Sequence, residues 1–339
     1  MTTTLPRFLV TGQLTRDYII LPDGEALIDV PGGNVLYASV GVKIWEPDPP
    51  PAVIARVGND YPIEWLDQFQ NWGLNTGGIR TLPEPVDIRF FTSFIDRSTR
   101  MYDDPLSHFA RHGLPFPKSL LGYRYSNTQI SSRTRMQNIS LRQGDIPLEF
   151  LDAKVAHFCP LDYLTHSLLP AVLRQSEFTT ITLDPSPGYM TPAFWDDVAA
   201  LLTGLTAFLP SEEEARALFH GRSTDLWEMA EALGAYGCEM IVLKRGERGQ
   251  FLYVPSTRAR WEIPPYPARV KNPVGAGDAF CGGFLAGYRR SFDPLEAVLC
   301  GNISASLVVE GNSPAYALDA HPALASARLE ALRQSVRKL

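Results

Sequence analysis

The stretch KNPVGAGDAFCGGF, residues 271–284, places glycines around a single carboxylate, Asp278. Gly275 and Gly277 leave no side chain between their backbone N–H groups and a ligand, and they allow backbone conformations that other residues avoid. Small apolar residues follow, so the pattern predicts a turn into a helix whose first N–H groups converge on a negative charge. A carboxylate beside such a turn suits phosphoryl transfer, in which the acid takes a proton from the attacking hydroxyl.

Asp278 lies in the predicted first turn, where the helix dipole favours its charge, so we expect it to stay ionised. The small residues Ala279, Gly283 and Gly287 share one stripe, which we expect to let the helix pack tightly against a sheet. An ordinary glycine-rich helix start with Asp278 as N-cap is the alternative that this string leaves open. The string lacks Walker A spacing and the third glycine of a dinucleotide fingerprint.

The elements that position this turn alternate between short apolar strands and longer helical patterns. This alternation predicts a single α/β domain over residues 1–339, with a doubly wound, mostly parallel sheet flanked by helices. The predicted strands cover 7–13, 52–58, 88–95, 154–159, 179–185, 206–210, 240–246 and 249–254. The predicted helices cover 34–46, 61–73, 164–175, 211–219 and 225–236.

Composition and charge exclude several other classes. The 339 residues are 45% hydrophobic and 20% charged with a net charge of −6, which disfavours general affinity for nucleic acid or membranes. No apolar stretch approaches the roughly 20 residues that span a bilayer. Four cysteines without CxxC spacing predict reduced thiols, and the N-terminus does not resemble a signal peptide. We therefore expect a cytoplasmic protein.

The run NPVGAGDAFCGGFLAG resembles the C-terminal signature of the ribokinase family of sugar kinases, the PfkB type. Other stretches are similar to family motifs in the family's order: VTGQLTRDYIILP, PGGNVLYASVGVKIW, ARVGNDYPIEWLDQFQNWGLNT, LDPSPG, LPSEEEARALF and VLKRGERGQFLY. The resemblance implies a ribokinase-like fold with a small β lid around residues 14–30 and 88–142. It also implies ATP- and Mg²⁺-dependent phosphorylation of a hydroxymethyl group on a sugar or sugar-like molecule.

The resemblance implies a role for each matching residue. Asp278 is the general base, and the N–H groups of Gly275, Ala276 and Gly277 form the anion hole. The implied substrate-binding residues are Asp17, Gly32, Gly33, Asn34 and Tyr37. The implied nucleotide-side residues are Ser186, Ser211, Lys244, Gly246, Gly249 and Asn302. Glu214 is expected to order the waters of Mg²⁺, and it also completes a capping box with Ser211.

Four positions depart from the family pattern: Asn272, Tyr37, Ser186 and Ser211. They leave the phosphate turn and the base intact but alter the substrate pocket, so the substrate stays open. A nucleoside, a polyol or a sugar phosphate is an alternative acceptor. A catalytically weak relative that senses a sugar or nucleotide is the alternative from another class.

The segment 97–142 is irregular and rich in arginine, which is typical of a lid or binding loop. It holds eight basic residues and two acids. One hypothesis is that Arg133 and Arg135 close over an anionic substrate, since arginine binds phosphate or carboxylate with two bonds. The alternative is a solvated or dimer-forming loop, because the family's lid often serves as a homodimer interface. We expect no nucleic-acid or membrane partner.

Overall fold

The computed structural model describes residues 5–96, 99–125 and 131–339. The strands in this part of the chain are β1 (Phe8–Thr11), β2 (Thr15–Ile20), β3 (Ala26–Gly32), β4 (Ala52–Val57), β5 (Asn75–Thr81), β6 (Arg89–Phe94), β7 (Arg100–Met101), β8 (Val155–Phe158), β9 (Thr180–Leu183), β10 (Ala207–Phe208), β11 (Met240–Lys244), β12 (Gln250–Val254), β13 (Ala259–Ile263) and β14 (Arg337–Lys338). The helices are α1 (Asn34–Trp45), α2 (Ile63–Asn71), α3 (Pro105–Arg111), α4 (Tyr163–Gln175), α5 (Trp195–Leu202), α6 (Glu212–Leu218), α7 (Leu226–Gly234), α8 (Ala276–Ser291), α9 (Pro294–Val308) and α10 (Pro322–Arg333).

The large sheet has the strand order β14-β13-β12-β11-β10-β9-β8-β1-β4-β5. The strands from β11 to β5 in that order are parallel, and β12, β13 and β14 extend the sheet with antiparallel pairings. Helices cover both faces of this sheet. Successive residues of a strand point to opposite faces, so neighbouring side chains pack against different helices. In β1, Phe8 and Val10 pack with α1, α8 and α9, whereas Leu9 packs with α4, α5, α6 and α7. The predicted doubly wound α/β fold is confirmed.

The glycines of α8 allow close contact with other helices. A Cβ on Gly282 would overlap the backbone of α1 at Ala38, and a Cβ on Gly283 would overlap Ser304 of α9. Gly287 faces Cys300 of α9 in the same way. The expectation that these small residues pack α8 tightly against the sheet was therefore wrong. Their close contacts are with the helices α1 and α9.

A second sheet forms the lid, in the order β3-β2-β6-β7. Its outer face buries Tyr18 and Phe91 against Phe109 of α3. Its inner face carries Asp17 and Ile19, which alternate with those core residues along β2. One end of the inner face packs on the large domain, where Ile19 and Phe94 contact Val274 next to the glycine turn.

Residues 131–152 do not belong to the lid, which corrects the predicted lid region of 88–142. Leu141 and Phe150 are buried in the core of the large domain. Asp145 accepts hydrogen bonds of 2.7 and 2.9 Å from Arg56 of β4, and both side chains are buried. This pair fixes the segment to the large sheet because each charge has its partner inside the protein.

Every predicted strand and helix contains an element of the same type, although β10 is shorter than expected. The predicted strand and helix ranges do not include β2, β3, β5, β7, β13, β14, α3, α5, α9 or α10. None of the described helices is long and apolar enough to cross a membrane.

Candidate active site

The glycine turn begins α8, with Gly275 as its N-cap at φ 77°. This left-handed conformation favours glycine, and a Cβ at this position would overlap the ring of Tyr37. Gly277 is exposed, and a Cβ added there would lie 3.7 Å from Lys244 Nζ. Because the first N–H groups of a helix have no partner within it, the turn offers backbone donors beside an amine. This arrangement suits an anionic ligand.

Asp278 is partly buried in the first turn of α8. Burial raises the pKa of Asp278 to about 6, while Lys244 and Arg100 lower the pKa and Glu214 raises it. The carboxyl is therefore largely ionised at pH 7, as the sequence predicted. A carboxyl whose pKa lies close to neutral pH is well suited to act as a general base.

A buried lysine joins three strand ends of the large sheet to α8. Lys244 Nζ donates a hydrogen bond to Asp184, which directly follows β9, and it lies 3.5 Å from Cys281 Sγ. Burial raises the pKa of Asp184 to about 6, although Lys244 lowers it. Burial also lowers the pKa of Lys244, but Asp184 and the neighbouring anions raise it further, so the net change is upward. Lys244 therefore keeps its positive charge beside the glycine turn.

Glu214 is held next to this lysine by its predicted capping box. The backbone N–H and the hydroxyl of Ser211 each donate a 2.8 Å hydrogen bond to Glu214 Oε2. Ser211 also bridges to Lys244 in parallel β fashion. Burial raises the pKa of Glu214 to about 7, and the charge of Asp184 raises it too, whereas Lys244 lowers it.

Asp17 lies on the inner face of the lid and is only 3% exposed. Thr15 Oγ1 donates a 2.5 Å hydrogen bond to its carboxylate, and burial raises the pKa of Asp17 to about 7. A Cβ on Gly32 would overlap this carboxylate. Gly32 therefore makes room for Asp17 itself, a role that the sequence did not indicate.

Two tyrosines connect the lid acid to the turn. The pKa of Tyr37 is raised first by burial and then by the charges of Asp17 and Asp278, so this side chain lies near both acids. The hydroxyl of Tyr61 is buried and has no hydrogen-bond partner within the described part of the chain. Burial, followed by the charge of Asp17, raises the pKa of Tyr61. Tyr61 therefore adds a further polar group near Asp17.

The lid also carries an inner aromatic cluster, made of Phe90, Tyr102 and Tyr125. Phe90 is the register partner of Asp17, so the two side chains lie on one face. Its ring centroid lies 5.5 Å from that of Tyr102 and 6.3 Å from that of Tyr125. The rings of Tyr102 and Tyr125 stack at 5.1 Å with an interplanar angle of 22°. All three side chains are partly exposed.

The side-chain amides of Asn34 and Asn302, both predicted to bind ligands, form hydrogen bonds within the protein. Asn34, which follows the N-cap Gly33 of α1, accepts a 2.8 Å hydrogen bond from Gln13 N–H and donates one of 2.9 Å to Pro160 O. Asn302 accepts from Tyr266 N–H at 2.9 Å and donates to Gln250 Oε1 and Pro264 O. Their amides therefore fix loops around the site.

The other predicted nucleotide-side residues line one edge of the large sheet. Ser186 and Ser211 follow β9 and β10, and Lys244 ends β11. Gly246 lies in the turn after β11. A Cβ added there would have no atom of the described residues within 4 Å. Gly249 ends this turn, and a Cβ there would overlap the carbonyl of Ile263. Ligands of open α/β sheets bind at this carboxyl edge of the strands.

Known proteins share this architecture. A cytidine kinase of Thermococcus kodakarensis is 27% identical over 297 residues, which cover 85% of this chain and 90% of the relative. A putative Ribokinase II from E. coli, crystallised with ATP and Mg²⁺, has a TM-score of 0.69 at 16% identity, covering 96% of this chain and 100% of that chain. A Burkholderia thailandensis nucleoside kinase in complex with inosine has a TM-score of 0.64 at 18% identity, covering 96% of each chain. The two structures show the ribokinase-like fold.

Residues 160–320 match the family model described as pfkB family carbohydrate kinase. This match covers just under half of the chain, and it confirms the predicted resemblance to the PfkB family. The predicted enzyme class, a phosphotransferase with an alcohol group as acceptor, is confirmed as well.

The geometry of the protein does not support the predicted role of Arg133 over the substrate. Arg133 pairs with Asp197 of α5 at 2.8 Å and lies 3.9 Å from the ring centroid of Phe194. It therefore contacts the large domain. Asn272, which replaces the family's acid, is buried and accepts a 3.0 Å hydrogen bond from Val274 N–H, so it shapes the entry to the turn.

The sequence motifs did not single out Asp184, Tyr61 or the inner aromatic cluster. Asp184 directly follows the apolar run TTITL, where a carboxylate at a strand end could have been noticed. Phe90 could be placed beside Asp17 only by knowing that β2 and β6 pair in parallel. That pairing joins segments more than 70 residues apart, which no local pattern shows.

Proposed function

We propose that the protein is a nucleoside kinase that transfers the γ-phosphoryl group of ATP to the hydroxymethyl group of the ribose. The observation that carries this proposal is the inner aromatic cluster on the same face of the lid as Asp17. A free sugar has hydroxyls for Asp17 but no planar group for Phe90 and Tyr102. A nucleoside has both.

The two halves of the substrate fit two kinds of side chain. The carboxylate of Asp17 accepts hydrogen bonds from ribose hydroxyls through its two oxygens. The nucleobase packs on Phe90 and the stacked pair Tyr102–Tyr125. Stacking of a base on an aromatic side chain contributes about 1–3 kcal/mol and tolerates different bases. The cytidine kinase relative and the inosine-bound neighbour support this reading.

The acceptor hydroxyl is activated by Asp278. In this arrangement Asp278 takes the proton from the hydroxymethyl oxygen as that oxygen attacks the γ-phosphorus of ATP. The N–H groups of Gly275, Ala276 and Gly277 stabilise the charge on the transferring phosphoryl, and Lys244 adds a fixed positive charge next to Gly277. ATP lies along the carboxyl ends of β9, β10 and β11, near Ser186 and Gly246.

Mg²⁺ fits this site through Glu214. Mg²⁺ prefers oxygen ligands, keeps several waters and takes one or two carboxylates from a protein. The Glu214 carboxylate is oriented by Ser211, close enough to Asp184 that their charges interact. Bound there, Mg²⁺ neutralises charge on the phosphates.

An ADP-release screen tests the proposal. It pairs each nucleoside with its free sugar, for example cytidine with ribose, and includes polyols and sugar phosphates, with Asp278→Asn as the blank. We expect nucleosides to be the better acceptors. A preference for ribose, a polyol or a sugar phosphate would overturn the assignment, and turnover that is equal in the blank would favour the sensor alternative.

The aromatic cluster is tested by Phe90→Ala. Loss of the stacking surface should raise the KM for a nucleoside about 10-fold or more while the ribose rate stays unchanged. The control is Phe292→Ala, an exposed aromatic at the opposite end of α8. An unchanged nucleoside KM in Phe90→Ala would remove the cluster from the binding site.

We also propose that the lid forms a homodimer interface. Five of its large apolar side chains are exposed: Ile28, Ile95, Met101, Leu106 and Leu121. Exposed apolar side chains concentrated on one element are found at many protein interfaces. Sedimentation equilibrium of the wild type and of Leu106→Glu tests it, because the charge should shift a dimer to the monomer. A monomeric wild type would contradict the proposal.

A further inference from the structure

The short strand β7 turns one arginine toward the active site. Arg100 is the antiparallel register partner of Phe94, so the two side chains lie on the same face of the lid. Phe94 is buried against Val274, the residue that precedes Gly275. Arg100 is therefore on the inner face, at the end of the lid that covers the glycine turn.

Two observations support this position of Arg100. Its positive charge lowers the pKa of Asp278, although burial raises that pKa more strongly. Its neighbour Tyr102 has a pKa that is raised by burial, lowered by Arg100 and raised by Glu213 of α6, so the lid approaches the large domain here. Arg100 is exposed, and no carboxylate of the described residues forms an ion pair with it.

We propose that Arg100 is a catalytic residue of the lid that donates hydrogen bonds to the phosphoryl group while it is transferred. The proposal rests on the kinase function above, and it places one catalytic charge on the element that also holds the acceptor. The planar guanidinium binds two phosphate oxygens at once, which an amine does not do.

The acceptor oxygen forms a bond to the γ-phosphorus as its proton passes to Asp278, and the bond from that phosphorus to the bridging oxygen breaks, so ADP leaves with the electron pair. Arg100 donates to the non-bridging oxygens and stays protonated throughout. Because Asp17 and Arg100 lie on one sheet, a bound acceptor brings the arginine to the reacting group.

The turnover test compares Arg100→Ala and Arg100→Lys with the wild type on the best acceptor of the screen. Arg111→Ala is the matched control, since Arg111 is exposed on α3 beyond the outer face of the lid. We expect Arg100→Ala to lower kcat about 10²-fold with little change in the KM of the acceptor, because the contact forms in the transition state. Arg100→Lys should recover part of the loss, and guanidinium added to Arg100→Ala should recover more.

A pH profile separates a catalytic from a structural role. Removing Arg100 should shift the acidic limb of the pH profile of kcat to higher pH, because a positive charge that favours the ionised form of Asp278 is lost. The other groups that interact with Asp278 stay in place in this variant: Lys244, Glu214, Asp184, Tyr37, Cys159 and Cys281. A kcat within threefold of the wild type with an unmoved limb would overturn the proposal.

A binding measurement makes the result independent of the acceptor. Titration calorimetry compares ADP alone with ADP plus aluminium fluoride, which mimics the transferring phosphoryl. Arg100→Ala should lose affinity for the second mixture only. Failure of nucleosides in the screen would disprove the proposed substrate but leave this measurement valid. A larger loss for phosphorylated than for neutral acceptors would mean that Arg100 binds an anionic substrate, which would overturn the proposal.

Discussion

Asp278 is the residue on which the proposed chemistry depends most directly. We expect Asp278→Asn to bind ATP normally and to lower kcat by about 10²–10⁴-fold, the usual contribution of a positioned base. The wild-type rate should fall as pH decreases through about 6, because the pKa of Asp278 is about 6 and the protonated acid cannot accept a proton. Steady-state kinetics from pH 5 to 8 measure both effects. A variant that kept most of its rate would exclude Asp278 as the base.

The two glycines of the turn should respond differently to the same change. Gly275→Ala should destabilise the fold, because the left-handed φ of 77° and the ring of Tyr37 both oppose a Cβ. Gly277→Ala should fold normally, since its Cβ would meet only Lys244 Nζ at 3.7 Å.

Thermal unfolding and ATP titration distinguish these outcomes. Gly275→Ala is expected to lower the melting temperature, whereas Gly277→Ala is expected to keep it and to weaken ATP binding. If both variants melted like the wild type, the contact between Gly275 and Tyr37 would not contribute to stability.

A motif predicts the place of a single residue along the chain but not the partners that its side chain contacts. Asp278 and Lys244 lie together at the strand ends, as the motifs implied. The amides of Asn34 and Asn302 contact backbone groups that lie 126 and 38 residues away. Such distant partners cannot be predicted from local spacing.

At the scale of elements, residues 131–152 depend on one buried ion pair. Asp145→Ala should destabilise the protein by about 3–5 kcal/mol, because it leaves Arg56 buried without its partner. Urea unfolding of this variant and of the exposed control Asp67→Ala measures the difference. A cost below 1 kcal/mol would mean that the segment is held by its apolar contacts alone.

The sequence predicted the regular alternation of strands and helices but not the extent of the lid. Alternating patterns are local, and they identified most strands of the large sheet. The segment 97–142 has weak periodicity, and its attachment through Asp145 depends on an arginine inside the apolar strand β4. Nothing in the spacing of the segment indicates that partner.

At the scale of the whole molecule, the buried acid of the lid reduces stability at neutral pH. The pKa of Asp17 is about 7 in the folded protein, above its ordinary value of 3.8, because of burial. A raised pKa means that the stability contribution is full below about pH 4 and is lost as pH rises through about 7. Asp17→Asn cannot ionise, so its stability relative to the wild type should increase by about 4 kcal/mol between pH 4 and pH 8.

Urea unfolding at pH 5 and pH 8 checks this sign, with the exposed Asp67→Asn as control. The activity of Asp17→Asn should fall at the same time, because the amide no longer offers two acceptor oxygens to the ribose. A difference in stability that did not depend on pH would contradict the raised pKa of Asp17.

The two faces of the lid sheet have consequences for how such an enzyme evolves. Odd positions of β2 and even positions of β6 lie on the inner face, which we propose holds the acceptor, whereas the alternate positions, with Tyr18 and Phe91, hold the lid together. Substitutions of partly exposed residues in the first set, such as Phe90, can alter the choice of acceptor at little cost in folding. A single-residue insertion in β2 would exchange the two faces and remove both functions together. Selection can therefore change the acceptor by point mutation, while the length of β2 stays under strict constraint.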